Sequence, residues 1–313
     1  MTNDVHVVLG AGPAGTTLAT ELAGRGHRVR LGARTHRGAP IEGVQRVTVD
    51  VSDREQLRAA VAGAAVLYHC VNVPYQDQVA LMPGIQEAIL DAAGEAGARL
   101  VVLDTLYPYG DTQGAPMTER TPMTATTAKG RMRAELDRVY LAAHEQGRVS
   151  VALGRAADFF GPGVLNSTLG GGVFPGAITG GEIVTLGNIE LPHSYSFIED
   201  VAAGLATLGE NPRGDGLVWH LPAAPAVSTR EILDRIGTLL GTRLEPAVLT
   251  EPRPAGPFDA TLMSEYAELF YQNTTSQIMV TEAFTEAFGV TATPLTTALD
   301  RTIAWYRAFL SGA

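Results

Sequence analysis

Short apolar runs recur along the chain at residues 5–9, 28–31, 46–51, 65–71, 99–104 and 149–154. The first, with Val5, Val7, Val8 and Leu9, is a short apolar run of the kind that suits a central strand of a parallel sheet. Between them lie segments with helical spacing, among them residues 79–97 and 126–147, the second rich in Arg, Glu and Ala. Strand alternating with helix predicts an α/β, doubly wound parallel sheet. From Gly161 the rhythm changes. Residues 161–188 carry many glycines, including Gly170, Gly171 and Gly172, and read as loops over a ligand. Helices are expected around 199–209 and 229–240. A Pro-rich stretch at 252–257 and helices ending at Trp305 and Tyr306 complete a smaller second lobe.

The first of these units carries the clearest chemistry. Val5, Val7, Val8 and Leu9 form a strand, Gly10, Gly12 and Gly15 follow in GxGxxG spacing, and Thr16 to Ala23 continues as a small-residue helix that Gly24 and Gly26 end. In that order the first glycine permits a tight turn, the second lets backbone approach phosphates, and the third lets helix pack on strand. With Pro13 and Ala14 between them, these residues present the helix N-terminus to a pyrophosphate. The expected organisation is therefore a Rossmann-type dinucleotide-binding domain over residues 1–163 and a mainly substrate-binding lobe over 164–313, with segments near 190–222 returning to the first.

The GAGPAG turn also opens FAD-binding proteins, but that reading wants an Asp or Glu at the end of the second strand. Gly32, Ala33 and Arg34 stand there instead. A guanidinium at Arg34, assisted by Arg37, suits the extra phosphate of NADP through paired hydrogen bonds. NADP is thus favoured over NAD, and FAD is disfavoured. Asp50 and Val51, at the end of the third strand, and Val71, after the fourth, are expected to line the cofactor. Asp53 reads as a helix cap.

Composition narrows the class without changing it. The 313 residues are 45% hydrophobic and 18% charged, with a formal charge of −10. That balance argues against a general nucleic-acid surface. The lone cysteine, Cys70, sits in an apolar run and reads as a buried, inert thiol. No apolar run reaches the roughly 20 residues of a membrane span, and the seven histidines lack metal-ligand spacing. A cytoplasmic, metal-free protein with a small-molecule substrate is expected.

By this point the chain resembles the extended short-chain dehydrogenase/reductase family, which contains NAD-dependent epimerases and dehydratases. The resemblance runs through VLYHCVNV after the fourth strand, LYPYG after the fifth, GRAADFFGPG after the sixth, SYSFIEDVAAGL, and the closing FGVTATPLTTALDRTIAWYR. One departure is small: Leu9 stands where the family's first glycine falls. The other is chemical. The family pairs a Tyr with a Lys four residues on, and a Ser or Thr ends the fifth strand. Thr105 and Lys129 match, but the tyrosine position is Ala125.

A methyl group transfers no proton, so the resemblance implies cofactor binding with a non-standard proton donor. Tyr107, two residues after Thr105, would share its side of an extended strand, and Pro108 favours that extension. Tyr109 reads as a wall or substrate contact. Tyr195 and His193 are further candidates from the second lobe, and Asn166, Ser167 and Phe174 are candidate pocket residues. Arg131 and Arg133 read as solvated neighbours of Lys129. In isoflavone-reductase-like relatives a lysine serves without the tyrosine; Lys129 would need a depressed pKa to act as a base. The function expected is an NADP-dependent oxidoreductase or epimerase on a small carbonyl or hydroxyl metabolite. The alternatives are a catalytically altered, NmrA-like NADP-binding regulator, or a non-redox lyase or isomerase. The resemblance also implies a homodimer, paired through helices 79–97 and 126–147.

Overall fold

In the computed structural model, which describes residues 5–312, seven parallel strands form one sheet. Strands β1 (Val5–Leu9), β2 (Arg28–Ala33), β3 (Val44–Thr48), β4 (Ala64–His69), β5 (Arg99–Thr105) and β6 (Val151–Ala156) stand in the order 3-2-1-4-5-6. Val218–His220 adds a seventh beyond β6. All five residues of β1 are buried, as an apolar central strand requires. Its side chains alternate between two cores. Val7 and Leu9 pack with helices α2 (Arg54–Val61), α3 (Gln78–Ala96) and α4 (Ala128–Glu145) on one face. Val8 packs with α1 (Pro13–Gly24) and the helix Ile198–Glu210 on the other.

The chain order reverses direction between β1 and β4, which opens the crevice where such sheets bind ligands. The β1 and β4 ends meet closely there, and the Cys70 N–H donates to the Leu9 carbonyl at 2.8 Å. Burial pushes the Cys70 thiol up to about 12, consistent with an inert group.

The second lobe is built on two smaller cores. One gathers Phe174, Ile232, Leu299 and Tyr306; the other gathers Val184, Leu249, Phe258, Met263 and Leu269. Three details differ from the sequence expectation. The third strand ends at Thr48, so Asp50 lies beyond it in a turn closed by its own carboxylate, which accepts from Ser52 N and Oγ. The 161–188 stretch holds a helix, Phe174–Thr179, and a strand, Val184–Leu186. Its glycine triplet packs closely on neighbouring backbone: a Cβ on Gly172 would stand 2.8 Å from the Val184 carbonyl oxygen. The closing helix runs past Tyr306, over Leu295–Ser311.

Candidate active site

At the end of β1 the three glycines divide their work. Gly10 has φ +101°, and a Cβ on it would meet the Cys70 carbonyl oxygen at 2.6 Å. A Cβ on Gly15 would stand 1.8 Å from the Gly10 carbonyl oxygen. Both are held by packing. Gly12 is different, because a Cβ there meets nothing within 4 Å among the described residues. It is the N-cap of α1, makes no side-chain cap, and is followed by Pro13 and by a first turn without an acid. Pro13 has no N–H to leave unpaired, and the helix N-terminus, with its free first-turn N–H groups, begins at the open ground around Gly12, as a phosphate requires. The cradle fits a dinucleotide.

Arg34 and Arg37 are exposed just beyond β2. Asp50 lies near Arg34. Hydrogen bonds from Ser52, and to a lesser extent the Arg34 charge, hold its carboxyl below the ordinary range. Val51 and Val71 are half-buried against the α2–α4 core. Asp53 caps α2, accepting from Glu55 N and Gln56 N.

At the ends of β4 and β5 a second cluster forms. The strand stops at Thr105 and the chain turns through a 3-10 turn, Tyr107–Tyr109. The extended continuation expected for Tyr107 is therefore replaced by a turn, whose Tyr109 N–H donates to Leu106 O at 3.1 Å. Tyr107 still stays by Thr105, since its N–H donates to Thr105 Oγ1 at 3.4 Å. The Tyr107 hydroxyl lies 2.9 Å from that of Tyr75. Tyr75 follows β4, its ring meets that of Tyr266 edge-on, and Lys129 Nζ stands 5.9 Å from its centre. Burial, then the neighbouring Tyr75, Tyr266 and Asp158, raise the Tyr107 hydroxyl well above the ordinary phenol range.

Lys129 lies on the first turn of α4, with its side chain 4% exposed. Its ammonium donates to Glu265 Oε2 at 2.7 Å, Glu268 Oε1 at 2.9 Å and the Glu265 carbonyl at 3.2 Å. Burial works to lower its pKa, but these carboxylates outweigh burial and raise it. That direction is opposite to the depression that the lysine-as-base alternative needs. Ala125 precedes the helix altogether, because Thr127 is the N-cap. Its N–H donates to Pro108 O at 3.2 Å.

Several candidates prove to be committed elsewhere. Tyr109 is fully buried, its hydroxyl bonded to His220 Nε2 at 2.6 Å and its ring under the Arg155 guanidinium at 4.5 Å. It is part of the core, not a pocket wall. His220 Nδ1 lies 2.8 Å from Val280 O, which only accepts, so Nδ1 carries the proton and Tyr109 donates to Nε2. Tyr195 is buried with its hydroxyl 2.8 Å from Thr229 Oγ1. Phe174 is buried and stacks on Tyr306. Ser167 donates to the Phe159 carbonyl, and Asn166 is exposed on its loop. Arg131 is exposed as expected, but Arg133 is buried and donates to Asn72 Oδ1 at 3.1 Å.

His193 Nε2 lies 3.1 Å from Asp158 Oδ2, which also accepts from Thr168 at 3.2 Å. Sequence reasoning missed Asp158, Tyr75, Tyr266, Glu265 and Glu268. Tyr75 was within reach, because it sits in the loop leaving a central strand at its ligand-binding end. The glutamates were not, since they arrive from a segment 136 and 139 residues downstream of Lys129. Two surface depressions of about 370 and 390 Å³ lie away from this cleft, lined by residues such as Arg235 and Pro294, and Asp234 and Arg243.

A family model described as the NAD dependent epimerase/dehydratase family matches residues 6–219. No curated protein sequence matches the chain. Among solved structures, an epimerase from Methanothermobacter thermautotrophicus superposes with TM-score 0.82 at 16% identity, covering 99% of this chain and 94% of that one. The UDP-glucose 4-epimerase of Thermotoga maritima, solved with UDP-glucose, gives 0.81 at 16%, covering 98% and 99%. The dTDP-glucose 4,6-dehydratase of Streptomyces venezuelae, solved with NAD, gives 0.78 at 17%, covering 98% and 98%. At these identities the likeness is one of fold.

Proposed function

The chain belongs to the NAD dependent epimerase/dehydratase family, and from that premise we propose that it is an NADP-dependent oxidoreductase or epimerase acting on a small carbonyl or hydroxyl compound, with Tyr107 as its proton donor. The observation that carries the reading is the 2.9 Å contact between the Tyr107 and Tyr75 hydroxyls, beside Thr105 and Lys129. It supports Tyr107 as the source of an exchangeable proton, which Ala125 at the family position does not supply.

Gly10, Gly12, Pro13, Ala14 and Gly15 would hold the pyrophosphate, Arg34 and Arg37 the 2′-phosphate, Asp50, Val51 and Val71 the adjoining walls, and Lys129 the nicotinamide ribose. When bound, a nicotinamide supplies or accepts the hydride. Thr105 orients the substrate oxygen by a hydrogen bond from its hydroxyl. Tyr107 then gives its proton to that oxygen as a carbonyl becomes an alcohol, Tyr75 passes its own proton to Tyr107 through the shared hydrogen bond, and water returns one to the part-buried Tyr75. Because its pKa is raised, Tyr107 is protonated throughout the neutral range and serves as an acid rather than a resting phenolate.

The test begins with calorimetric titration by NADPH, NADP⁺, NADH and FAD, followed by NADPH oxidation across a panel of aldehydes, ketones and sugar nucleotides. NADPH is expected to bind, and Tyr107→Phe to lower turnover by about 10²- to 10⁴-fold, the usual scale of a general acid. Absence of NADPH binding overturns the proposal, as does full activity in Tyr107→Phe.

One observation favours a second reading, the NADP-binding regulator. All three Lys129 donors are already engaged by the second lobe, an arrangement suited to sensing as much as to turnover. That reading requires unequal affinities for NADP⁺ and NADPH, because a ligand shifts a protein only by its differential affinity for two states.

A further inference from the structure

Lys129 is the only lysine in the chain. An ammonium has three N–H donors, and those of Lys129 go to Glu265 Oε2, Glu268 Oε1 and the Glu265 carbonyl. None is left for a ribose hydroxyl. Glu268 is tied in more deeply, since its carboxylate also accepts from the Ala128 N–H at 2.6 Å and the Lys129 N–H at 3.4 Å. It therefore caps the start of α4 alongside Thr127. Both glutamates belong to one segment of the second lobe, the helix Ala260–Tyr266 and the 3-10 turn Ala267–Asn273. That segment also brings Tyr266 against Tyr75, and its apolar residues Met263, Leu269 and Phe270 belong to the core on which Tyr75 and Tyr107 pack. Ion pairs, a helix cap and apolar contacts thus close the segment over the ends of β4 and β5.

We propose that Glu265 and Glu268 form a carboxylate latch that competes with the cofactor ribose for Lys129. A dinucleotide engages the ammonium only by displacing one of these three acceptors, all supplied by the 260–273 segment, so cofactor binding is linked to loosening of that segment's hold on Lys129. The proposal rests on the reading of Lys129 as the ribose-holding residue. The exchange replaces a charge-assisted hydrogen bond with a weaker one to a neutral hydroxyl, so the latch lowers cofactor affinity. Linkage is reciprocal: whatever frees the segment tightens dinucleotide binding by the same factor.

The experiment is calorimetric titration of the full chain with NADPH, comparing wild type with Glu265→Gln and Glu268→Gln. Glutamine keeps the shape and an accepting oxygen but drops the charge, and matching melting curves show that the fold is retained. Each variant is expected to bind NADPH about tenfold more tightly, and a Lys129→Gln background should abolish the gain, because the effect passes through the ammonium. Damage to a merely structural ion pair would weaken binding, not strengthen it. Wild-type binding with unchanged or weaker binding in the variants overturns the latch and leaves the cofactor reading standing. A gain that persists in the Lys129→Gln background also overturns it. Binding by none of the proteins overturns both.

Discussion

The glycine turn makes opposite predictions for two substitutions three residues apart. In Gly15→Ala the new Cβ falls 1.8 Å from the Gly10 carbonyl oxygen. That atom is backbone, held in place by the Gly10 N–H bond to Gly32 O at 2.8 Å and by the preceding Leu9 carbonyl, which accepts from the Cys70 N–H at 2.8 Å. Relief requires α1 to move off β1, an overpacking cost of about 3 kcal/mol. Ala is the better helix former by about 1 kcal/mol, so the net loss is about 2 kcal/mol, or roughly 3 °C in Tm for a chain of this size. In Gly12→Ala the Cβ enters open space, and the cost is about 0.5–1 kcal/mol from replacing a Gly N-cap by Ala. The methyl group instead occupies the ground where phosphates must approach. Loss of one charge-assisted bond of about 1.5–3 kcal/mol weakens NADPH roughly 10- to 150-fold. Urea denaturation reads the first effect and calorimetric titration the second. If Gly12→Ala binds NADPH as wild type does, the phosphates do not pass over this turn. If it loses as much stability as Gly15→Ala, the space at Gly12 is not free.

Three further perturbations follow from the same geometry. Asp104 and Asp137 share the single Arg155 in a fully buried cluster; burial, then the Asp104 charge, raise the Asp137 carboxyl from its ordinary 3.8. The folded state therefore holds a proton that the unfolded state releases, so stability falls as pH climbs from the ordinary carboxylate range into the neutral range. Asp137→Asn should flatten that decline in melts between pH 5 and 8, and an unchanged slope would show that Asp137 does not carry it. Arg34→Ser should weaken NADPH by about 10- to 100-fold, the loss of a charged hydrogen bond, with NADH unaffected; equal losses for both would separate Arg34 from the 2′-phosphate. Val79 and Leu81 on α3 are 46% and 50% exposed, so if α3 and α4 pair across a two-fold axis, Leu81→Arg should convert a dimer to a monomer in light scattering. A monomeric wild type at all concentrations would refute the pairing.

The sheet was legible because its signal is local. Apolar runs and a glycine turn at fixed spacing sit within a few residues of the strand they define, and the observed order 3-2-1-4-5-6 is that of a doubly wound sheet, although no helix separates β2 from β3. The second lobe was less legible because its elements pair at long range, as Val184–Leu186 does with Ala247–Leu249. The site divided along the same line. Asp53 as a cap and Gly12 as an open position are readable from neighbours in the chain. The partners of Tyr109, Tyr195 and Lys129 are not, because His220, Thr229 and Glu265 lie far along it or in another lobe. Spacing alone placed Tyr107 beside Thr105; the turn that begins after the strand decides which way its hydroxyl faces, and only tertiary contacts supplied Tyr75.

Ala125 illustrates why restoring a motif does not restore a site. The family's tyrosine and lysine meet because helical residues four apart share one face. Here α4 starts at Ala128, after the Thr127 cap, and residue 125 belongs to the preceding loop, tied to Pro108 and flanked by two glycines. A Cβ on Gly130 would fall 2.6 Å from the Ala125 Cβ, and one on Gly110 would fall 2.8 Å from the Ala125 Cα. The loop is thus packed around a methyl group. Ala125→Tyr is expected to place its ring off the Lys129 face and to leave turnover no higher than wild type. The decisive comparison is its NADPH-dependent activity in the wild-type and Tyr107→Phe backgrounds. Rescue of Tyr107→Phe by the new tyrosine would mean that position 125 still addresses the reacting oxygen. Failure of rescue, with the fold intact by its melting curve, is the outcome this loop geometry requires.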